Sequence, residues 1–215
     1  MACGLHRRRA VTTSTLTTSI HRVIERHAAA NGDHVALTEA SRSLTYRDLN
    51  QRANALARRL IAQGLRRGGH AWVSMPRGED LAVVLLGILK AGGSYTWPHT
   101  HESHSDGISI VSTPSQPQLQ AVSLDLTELF GGVASTPSPN LPVISRGSDI
   151  ACVLRGHDGA PVILVPHDAL TAFRDSEIRQ PATWTGEPGA FDLWLGLVKG
   201  MTVVIDDPQD AVAAA

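Results

Sequence analysis

The chain has 215 residues, of which 42% are hydrophobic, 18% charged and only 4% aromatic, and its formal net charge is −1. This composition provides enough apolar material for a core, and it argues against a dedicated nucleic-acid or membrane-surface binder. The two cysteines, Cys3 and Cys152, are too few for a disulfide framework or a four-thiolate metal site, and they fit a reducing compartment.

The first 18 residues are polar and carry Arg7, Arg8 and Arg9 in a row, with no acidic residue before Glu25. We expect a solvated tail here, and an organelle transit peptide is the alternative that this Arg-, Ser- and Thr-rich composition leaves open. No stretch of the sequence reaches the roughly 20 apolar residues that a membrane-spanning helix needs. The expected location is therefore the cytoplasm, with no membrane partner.

The next segment alternates between helical and strand-like patterns. Residues 19–32 place apolar side chains at helical spacing and end in an Asn-Gly pair, which predicts a first helix. Residues 35–46 predict two short strands joined by a Ser/Arg turn. Thr45 and Asp48, three residues apart, predict a capped second helix. Its apolar stripe and its terminal glycine are Leu49, Ala53, Leu56, Leu60 and Gly64.

A strand is predicted at 70–76, followed by a helix at 79–93 that is apolar almost all round and a strand at 94–97. A helix without a polar face must be buried in a larger body. Strand, helix and strand in this order indicate parallel βαβ units. We therefore predict an α/β fold with a mixed, mostly parallel sheet that carries helices on its faces.

The second half of the chain is less regular, because residues 112–147 form an insert rich in Ser, Thr, Pro and Gln. Its predicted elements are strands at 108–111, 121–126, 149–154, 162–166 and 201–206, and a helix at 191–200. The predicted divisions are a tail at 1–18, one domain at 19–207 that is most regular at 20–98, and a terminal segment at 208–215.

Two segments together resemble a known family. LTYRDLNQRANALARRLIAQGL, at 44–65, resembles the first signature of the adenylation domains of nonribosomal peptide synthetases, and GILKAGGSYTWP, at 87–98, resembles the second. Residues 193–205 resemble a later helix and strand of that family. The resemblance implies a truncated, degenerate N-terminal subdomain of an AMP-forming, aminoacyl-adenylating unit. The family's small lid, with its catalytic lysine, has no counterpart in this sequence.

The segment VLRGHDGAPVILVPH, at 153–167, falls where this family carries its phosphate loop. In the family, hydroxyls, backbone N–H groups and a lysine hold the triphosphate, and glycines let the backbone approach closely. Here Gly156, Gly159 and Pro161 keep the turn pattern, and Val162 takes the place of the lysine unless that position is deleted. The hydroxyl positions hold four other residues, Leu154, Arg155, His157 and Asp158.

Asp158 weighs most against nucleotide binding at this position. Two like unit charges about 4 Å apart repel by roughly 1 to 4 kcal/mol at solvent-like to surface dielectrics. Arg155 and His157 offset part of that repulsion from phosphates. We therefore predict a hairpin that persists as a structural turn without its ligand, and residual nucleotide contact is the alternative.

Phe191 and Asp192 have two interpretations. The family carries a Phe-Asp pair whose aspartate meets the amino group of the substrate, so the resemblance makes Asp192 a candidate vestigial substrate-binding carboxylate. In the other interpretation both residues begin the helix predicted at 191–200. We favour the helix, because its register to Gly200 needs no gap.

Other residues with reactive side chains are interpreted as structural. Cys152 lies in a predicted buried strand and is expected to be a core residue rather than a nucleophile. A solvated loop is favoured over a metal site for His99, His101, Glu102 and His104. Core or interface positions are favoured over a nucleic-acid stacking platform for Trp72, Trp97 and Trp194.

The preferred function is that of a non-catalytic adenylation-type domain, a scaffold or docking element in the biosynthesis of peptide antibiotics. By resemblance, active relatives use ATP and magnesium to make an aminoacyl adenylate and load a carrier protein. For this chain no cofactor, metal or catalytic residue is expected, and its activity as an enzyme stays open. Expected partners are carrier, condensation or cyclisation domains and another adenylation domain working in trans. Two alternatives stay open, namely part of an active ligase completed by a second polypeptide, and a non-functional remnant.

Overall fold

The computed structural model of the chain describes residues 18–97, 107–111, 122–125, 138–154, 162–175, 182–184 and 190–205. Its N-terminal elements are α1 (Ile20–Ala30), β1 (Val35–Glu39), β2 (Arg42–Thr45), α2 (Tyr46–Ala62), β3 (His70–Ser74), α3 (Glu79–Lys90) and β4 (Ser94–Thr96). They confirm every helix and strand predicted up to residue 97.

The later elements begin with four strands, β5 (Ile108–Val111), β6 (Val122–Asp125), β7 (Ile150–Leu154) and β8 (Ile163–Pro166). They end with α4 (His167–Thr171), a 3-10 turn (Ala172–Asp175), β9 (Ala182–Trp184), α5 (Phe191–Val198) and β10 (Val203–Ile205). The sequence did not predict α4 or β9. The helix α4 has five residues and the strand β9 has three, so both are too short for a periodic pattern to develop.

The strands form two sheets, one in the order β2-β1-β10-β9 and the other in the order β6-β5-β3-β4-β7-β8. Neighbouring strands run parallel except in the β1–β2 and β7–β8 pairs. The α/β class and the mostly parallel pairing are confirmed, but the single predicted sheet is divided into two. The division depends on β10 pairing with β1, with Leu37 opposite Val203, and this contact spans most of the chain.

The second helix is built as its sequence predicts. Thr45 accepts a hydrogen bond from the backbone N–H of Asp48 at 3.1 Å, and its hydroxyl donates to the Asp48 carboxylate at 2.8 Å. The residues of the apolar stripe, Leu49, Ala53, Leu56 and Leu60, are fully buried. Gly64 follows the helix at φ +103°, a conformation that favours glycine.

The third helix, α3, lies in the centre of the core, and every residue of this helix except Asp80 is buried. Gly87 allows α3 to approach α2 closely, because a Cβ atom there would lie 2.8 Å from Cδ2 of Leu56. The helix begins where the backbone N–H of Glu79 donates to the Glu39 carboxylate at 3.1 Å. The prediction of a buried helix is confirmed.

Residues 138–144 form a segment, here called the strap, that docks on the polar side of α2. The side-chain amide of Asn54 donates to the carbonyl oxygen of Ser138 at 2.8 Å and to the amide oxygen of Asn140 at 3.0 Å. Arg58 donates to the hydroxyl of Ser138 at 2.7 Å and to the carbonyl oxygen of Pro139 at 2.8 Å. The polar face of α2 therefore binds another part of the chain as well as facing solvent.

Candidate functional site

The two strands that flank the segment 155–161 form an antiparallel pair at one end of the larger sheet. Leu154 lies opposite Ile163 at the loop end, and Tyr95 of β4 lies opposite Cys152 on the inner side. The predicted hairpin stem is therefore confirmed. The candidate loop residues Gly156, His157, Asp158, Gly159 and Pro161 lie outside the described residues.

The base of this hairpin is fixed by backbone and charged hydrogen bonds. The backbone N–H groups of His167 and Asp168 donate to the carbonyl oxygens of Asp149 and Gly147 at 3.0 and 2.9 Å. Arg67 binds the Asp149 carboxylate through two hydrogen bonds, at 2.8 and 2.9 Å. This contact lowers the pKa of Asp149 to about 2, so the carboxylate stays charged and the hairpin base stays tied to the turn before β3.

Two buried histidines join the end of the hairpin to the first helix. Nδ1 of His167 accepts a hydrogen bond from the backbone N–H of Ile20 at 3.4 Å, and its ring meets that of His21 edge-on at 5.7 Å between centroids. Nε2 of His21 lies 3.1 Å from the hydroxyl of Ser19. Burial lowers the pKa of His167 to about 4 and that of His21 to about 2. Both rings are neutral at pH 7 and are not poised as proton donors there.

A buried ion pair lies next to these histidines. Nζ of Lys90 is 2.6 Å from the Glu25 carboxylate, and the two side chains are only 1% and 5% exposed. Arg22 binds the second oxygen of Glu25 at 2.9 Å. Burial lowers the pKa of Lys90 to about 8, and Glu25 opposes that effect. Lys90 belongs to the segment 87–98 that resembles the second family signature, and here it joins α3 to α1.

The inner hairpin strand, β7, contains the buried residue Cys152, which lies opposite Tyr95 of β4. The hydroxyl oxygen of Tyr95 accepts a hydrogen bond from the indole N–H of Trp194 at 2.6 Å, which connects β4 to α5. Burial raises the pKa of Cys152 to about 12, so the thiol is protonated and unreactive at neutral pH. Cys152 is a core residue, as predicted. The prediction of core or interface positions is also confirmed for Trp72, Trp97 and Trp194, which are buried.

The favoured interpretation of Phe191 and Asp192 is confirmed as far as the helix is concerned. The helix α5 begins at Phe191 and places Asp192 in its first turn, where a carboxylate is favourable for the helix dipole. The ring of Phe191 meets that of Phe173 edge-on at 6.0 Å between centroids. The role of Asp192 as a vestigial substrate-binding carboxylate stays a prediction.

The predicted histidine-rich loop, His99, His101, Glu102 and His104, lies outside the described residues. Within the part of the chain that the structure describes, no three His, Cys, Asp or Glu side chains lie close enough together to hold a metal ion. No helix among these same residues is long and apolar enough to cross a membrane. Of the titratable groups described above, Asp149 is paired with Arg67, Lys90 is buried and paired with Glu25, and His21, His167 and Cys152 are buried.

Comparisons with known proteins agree with this architecture. Residues 24–120 match the family described as AMP-binding enzyme. Bacitracin synthase 1 of Bacillus licheniformis is 28% identical over 212 residues, which cover 88% of this chain and 4% of the synthase. The N-terminal subdomain of Klebsiella oxytoca NpsA, solved in complex with 3-hydroxyanthranilyl-AMSN, matches with a TM-score of 0.76 at 20% identity, over 91% of this chain and 56% of that chain.

A further solved structure is NpsA-ThdA, an artificially fused adenylation–PCP di-domain from Klebsiella oxytoca. It matches with a TM-score of 0.77 at 23% identity, over 93% of this chain and 42% of the fusion. The chain thus spans a small fraction of the synthetase that it matches and about half of the solved subdomain. The segments 44–65 and 87–98, which carry the sequence resemblance, form α2 and the end of α3 with β4. Tyrocidine synthase 3 of Brevibacillus parabrevis is 30% identical over 175 residues, which cover 72% of this chain and 3% of the synthase. The chain therefore belongs to the AMP-binding adenylation family and corresponds to part of an N-terminal subdomain of the nonribosomal peptide synthetase type.

Proposed function

We propose that this chain is a non-catalytic adenylation-type domain that serves as a docking element for other synthetase domains. One observation carries the proposal: the hairpin stem of the phosphate-loop position is intact, whereas its loop sequence offers an aspartate and no hydroxyl or lysine. Hydroxyl donors and a positive charge are what a triphosphate requires at such a turn. The stem is thus maintained by packing, independently of any need to hold ATP.

The buried groups around the stem support this proposal. His21, His167 and Lys90 are enclosed between α1, α3 and α4, and Cys152 is buried in the strand β7. Each makes a contact within the chain, and each pKa shift has burial as its first cause. Side chains of this kind stabilise a packed body and leave its outer surface available for contacts.

The expected partners follow from the family. A solved relative is an artificial fusion of an adenylation domain with a PCP carrier domain, and the match covers only 4% of bacitracin synthase 1, which supports partners of this kind. We infer that carrier, condensation or cyclisation domains bind this chain, and that another adenylation domain loads the carrier in trans. The match to a relative named bacitracin synthase supports the proposal that the pathway makes a peptide antibiotic.

ATP–pyrophosphate exchange tests the absence of catalysis. The full chain is assayed with magnesium, ATP and a panel of amino acids and aryl acids, beside an active adenylation domain as a positive control. We expect exchange at the no-enzyme background. Exchange above background with any substrate would show that the chain is an enzyme.

A loop-restored variant tests whether the loop sequence is the cause. It carries residues of the family's loop through the substitutions Leu154→Thr, Arg155→Ser, His157→Thr, Asp158→Thr and Val162→Lys. We expect this variant to bind MgATP at least about tenfold more tightly than the natural chain, a gain of about 1.4 kcal/mol. Equal affinity of the two chains would show that the loop is not what prevents binding.

Docking is tested separately, by surface plasmon resonance of the immobilised chain against purified carrier, condensation and cyclisation domains. Saturable binding of one of these domains supports a docking role. No binding by any of them, together with no exchange, would indicate a non-functional remnant. Exchange that appears only after a second polypeptide is added would indicate half of a split ligase instead.

A further inference from the structure

The strand β8 has a neighbour on one side only, among the strands that the structure describes. It pairs with β7, with Val153 opposite Leu164 and Leu154 opposite Ile163, and it ends the order of the larger sheet. Its other side presents backbone N–H and C=O groups that no described strand occupies. An edge of this kind is a template for pairing with another strand.

The side chains along this edge are apolar and exposed. Val162, Ile163 and Leu164 are 54%, 54% and 57% exposed. Because successive residues of a strand point to opposite faces, both faces of the sheet are uncovered at this edge. A run of apolar residues without alternation is typical of a strand that is covered on both faces and paired on both sides.

Devices that normally protect an edge strand are missing from its exposed part. Charged side chains, prolines and bulges prevent edge pairing in natural sheets. Residues 162–165 contain no charge and no proline, and Pro166 stands at the far end of the strand. The irregularity in the β7–β8 pairing lies between Ile150 and Cys152, away from Ile163.

We propose that a second copy of this chain docks here, by antiparallel pairing of β8 with its own copy. A two-fold axis brings the same strand of two copies together antiparallel, so one patch is complementary to itself. The charges favour a second copy as the occupant. The exposed strip of Val162, Ile163 and Leu164 is neutral, and the net charge of −1 creates little repulsion between two copies. A neutral strip offers nothing that would select a strongly charged partner in preference to a second copy.

The size of the strip sets the strength of the contact. Three half-exposed side chains are a small part of the roughly 800 Å² that each partner buries in a stable protein–protein interface. Pairing of the edge backbone adds to this area but does not make it large. Association is therefore reversible, with a dissociation constant of about 10–500 µM rather than in the nanomolar range.

Sedimentation velocity of the full chain over about 5–500 µM tests the proposal across the expected range. The natural chain is expected to pass from monomer to dimer. Ile163→Lys places a charge of the same sign on the edge of each copy and is expected to weaken dimerisation at least about tenfold. Ile144→Lys is the matched control, because Ile144 is 40% exposed on the strap, away from the edge, and should leave dimerisation unchanged.

A natural chain that stays monomeric at the highest concentration would overturn the proposal, and so would an Ile163→Lys chain that dimerises as the natural chain does. Loss of the dimer in Ile144→Lys alone would also overturn it, by locating the contact on the strap. Should Ile163→Lys fail to fold, hydrogen exchange of the natural chain decides. The amides of β8 that point away from β7, every second one along the strand, are expected to be protected as concentration rises, and no change there would contradict edge pairing. The outcome is independent of catalysis, because an active ligase could dimerise in the same way.

Discussion

The segment from 20 to 97 and the segment from 138 to 205 are built differently. The first holds helices of 11, 17 and 12 residues around a mostly apolar core that also encloses the ion pair of Lys90 and Glu25. The second holds helices of 5 and 8 residues, and strands that expose Val162, Ile163 and Leu164. The longest helices and the most completely buried side chains therefore lie where the chain carries the family signatures, and the outer hairpin strand is the more exposed part.

The comparison predicts that the largest single loss of stability comes from the buried ion pair between α1 and α3. Lys90→Met leaves Glu25 buried, with Arg22 as its remaining charged partner among the described residues. Removing one partner of a buried pair costs about 3–5 kcal/mol, and Arg22 keeps the expected loss near the lower figure. Guanidinium unfolding followed by circular dichroism measures it.

An exposed ion pair is the control for this prediction. Arg47 and Asp33 are paired at 3.1 Å, with side chains 54% and 89% exposed. Arg47→Met is therefore expected to cost less than about 1 kcal/mol. Equal losses in Lys90→Met and Arg47→Met would contradict the account of the buried pair.

The second prediction concerns stability in acid, and it tests whether the buried histidines that join α1 to α4 are neutral in the folded chain. Folding lowers the pKa of His167 to about 4 and that of His21 to about 2, from 6.5. Below pH 6.5 the unfolded chain binds protons that the folded chain does not. Stability is thus lost as the pH falls from 6.5 towards 4, by about 1 kcal/mol per pH unit for each histidine.

Unfolding midpoints between pH 7 and pH 4.5 check this sign and slope. His167→Asn keeps a hydrogen-bond acceptor near the backbone N–H of Ile20 and removes one titrating ring, so the slope should fall by about half. A stability that rises as the pH falls over this range would refute the assignment of neutral buried rings.

The third prediction concerns the strap, the contact that joins the two segments through α2. Asn54 is fully buried and donates two hydrogen bonds to the strap, so Asn54→Ala should cost about 1–2 kcal/mol. Asn50 is less buried and donates one, to Asn140 at 2.9 Å, so Asn50→Ala should cost less. Urea unfolding of the two variants gives the order, and a larger loss in Asn50→Ala would contradict the contact pattern.

The smallest expected effect is at the start of α2. Thr45→Ala removes the oxygen that accepts from the backbone N–H of Asp48, which should cost about 1 kcal/mol. Thr45→Ser keeps that acceptor and should be close to the natural chain. Thermal unfolding of the pair measures the difference, and an equal loss in both would mean that the cap does not contribute.

The sequence predicted the elements up to residue 97 because their patterns are local. The stripe of Leu49, Leu56 and Leu60 and the cap at Thr45 need no knowledge of distant partners. It did not predict the second sheet, since the pairing of Leu37 with Val203 is a long-range contact that no local pattern reports.

The candidate site divides in the same way. Glycines, a proline and flanking apolar runs predicted the hairpin stem. The supporting pair Glu25–Lys90 and the contact between His21 and His167 were not predicted. The two residues of each contact lie far apart in the sequence, 65 positions for Glu25 and Lys90 and 146 positions for His21 and His167. No local pattern joins residues at such distances. Lys90, the charged residue at the end of an otherwise apolar run in α3, was the available signal.

The proposal that the hairpin at the phosphate-loop position holds no nucleotide is tested most directly by isothermal titration of the full chain with MgATP, with an active adenylation domain as the reference. We expect no saturable heat up to about 1 mM ATP, the concentration that corresponds to a binding free energy of about −4 kcal/mol. Stoichiometric binding with a micromolar dissociation constant would contradict it.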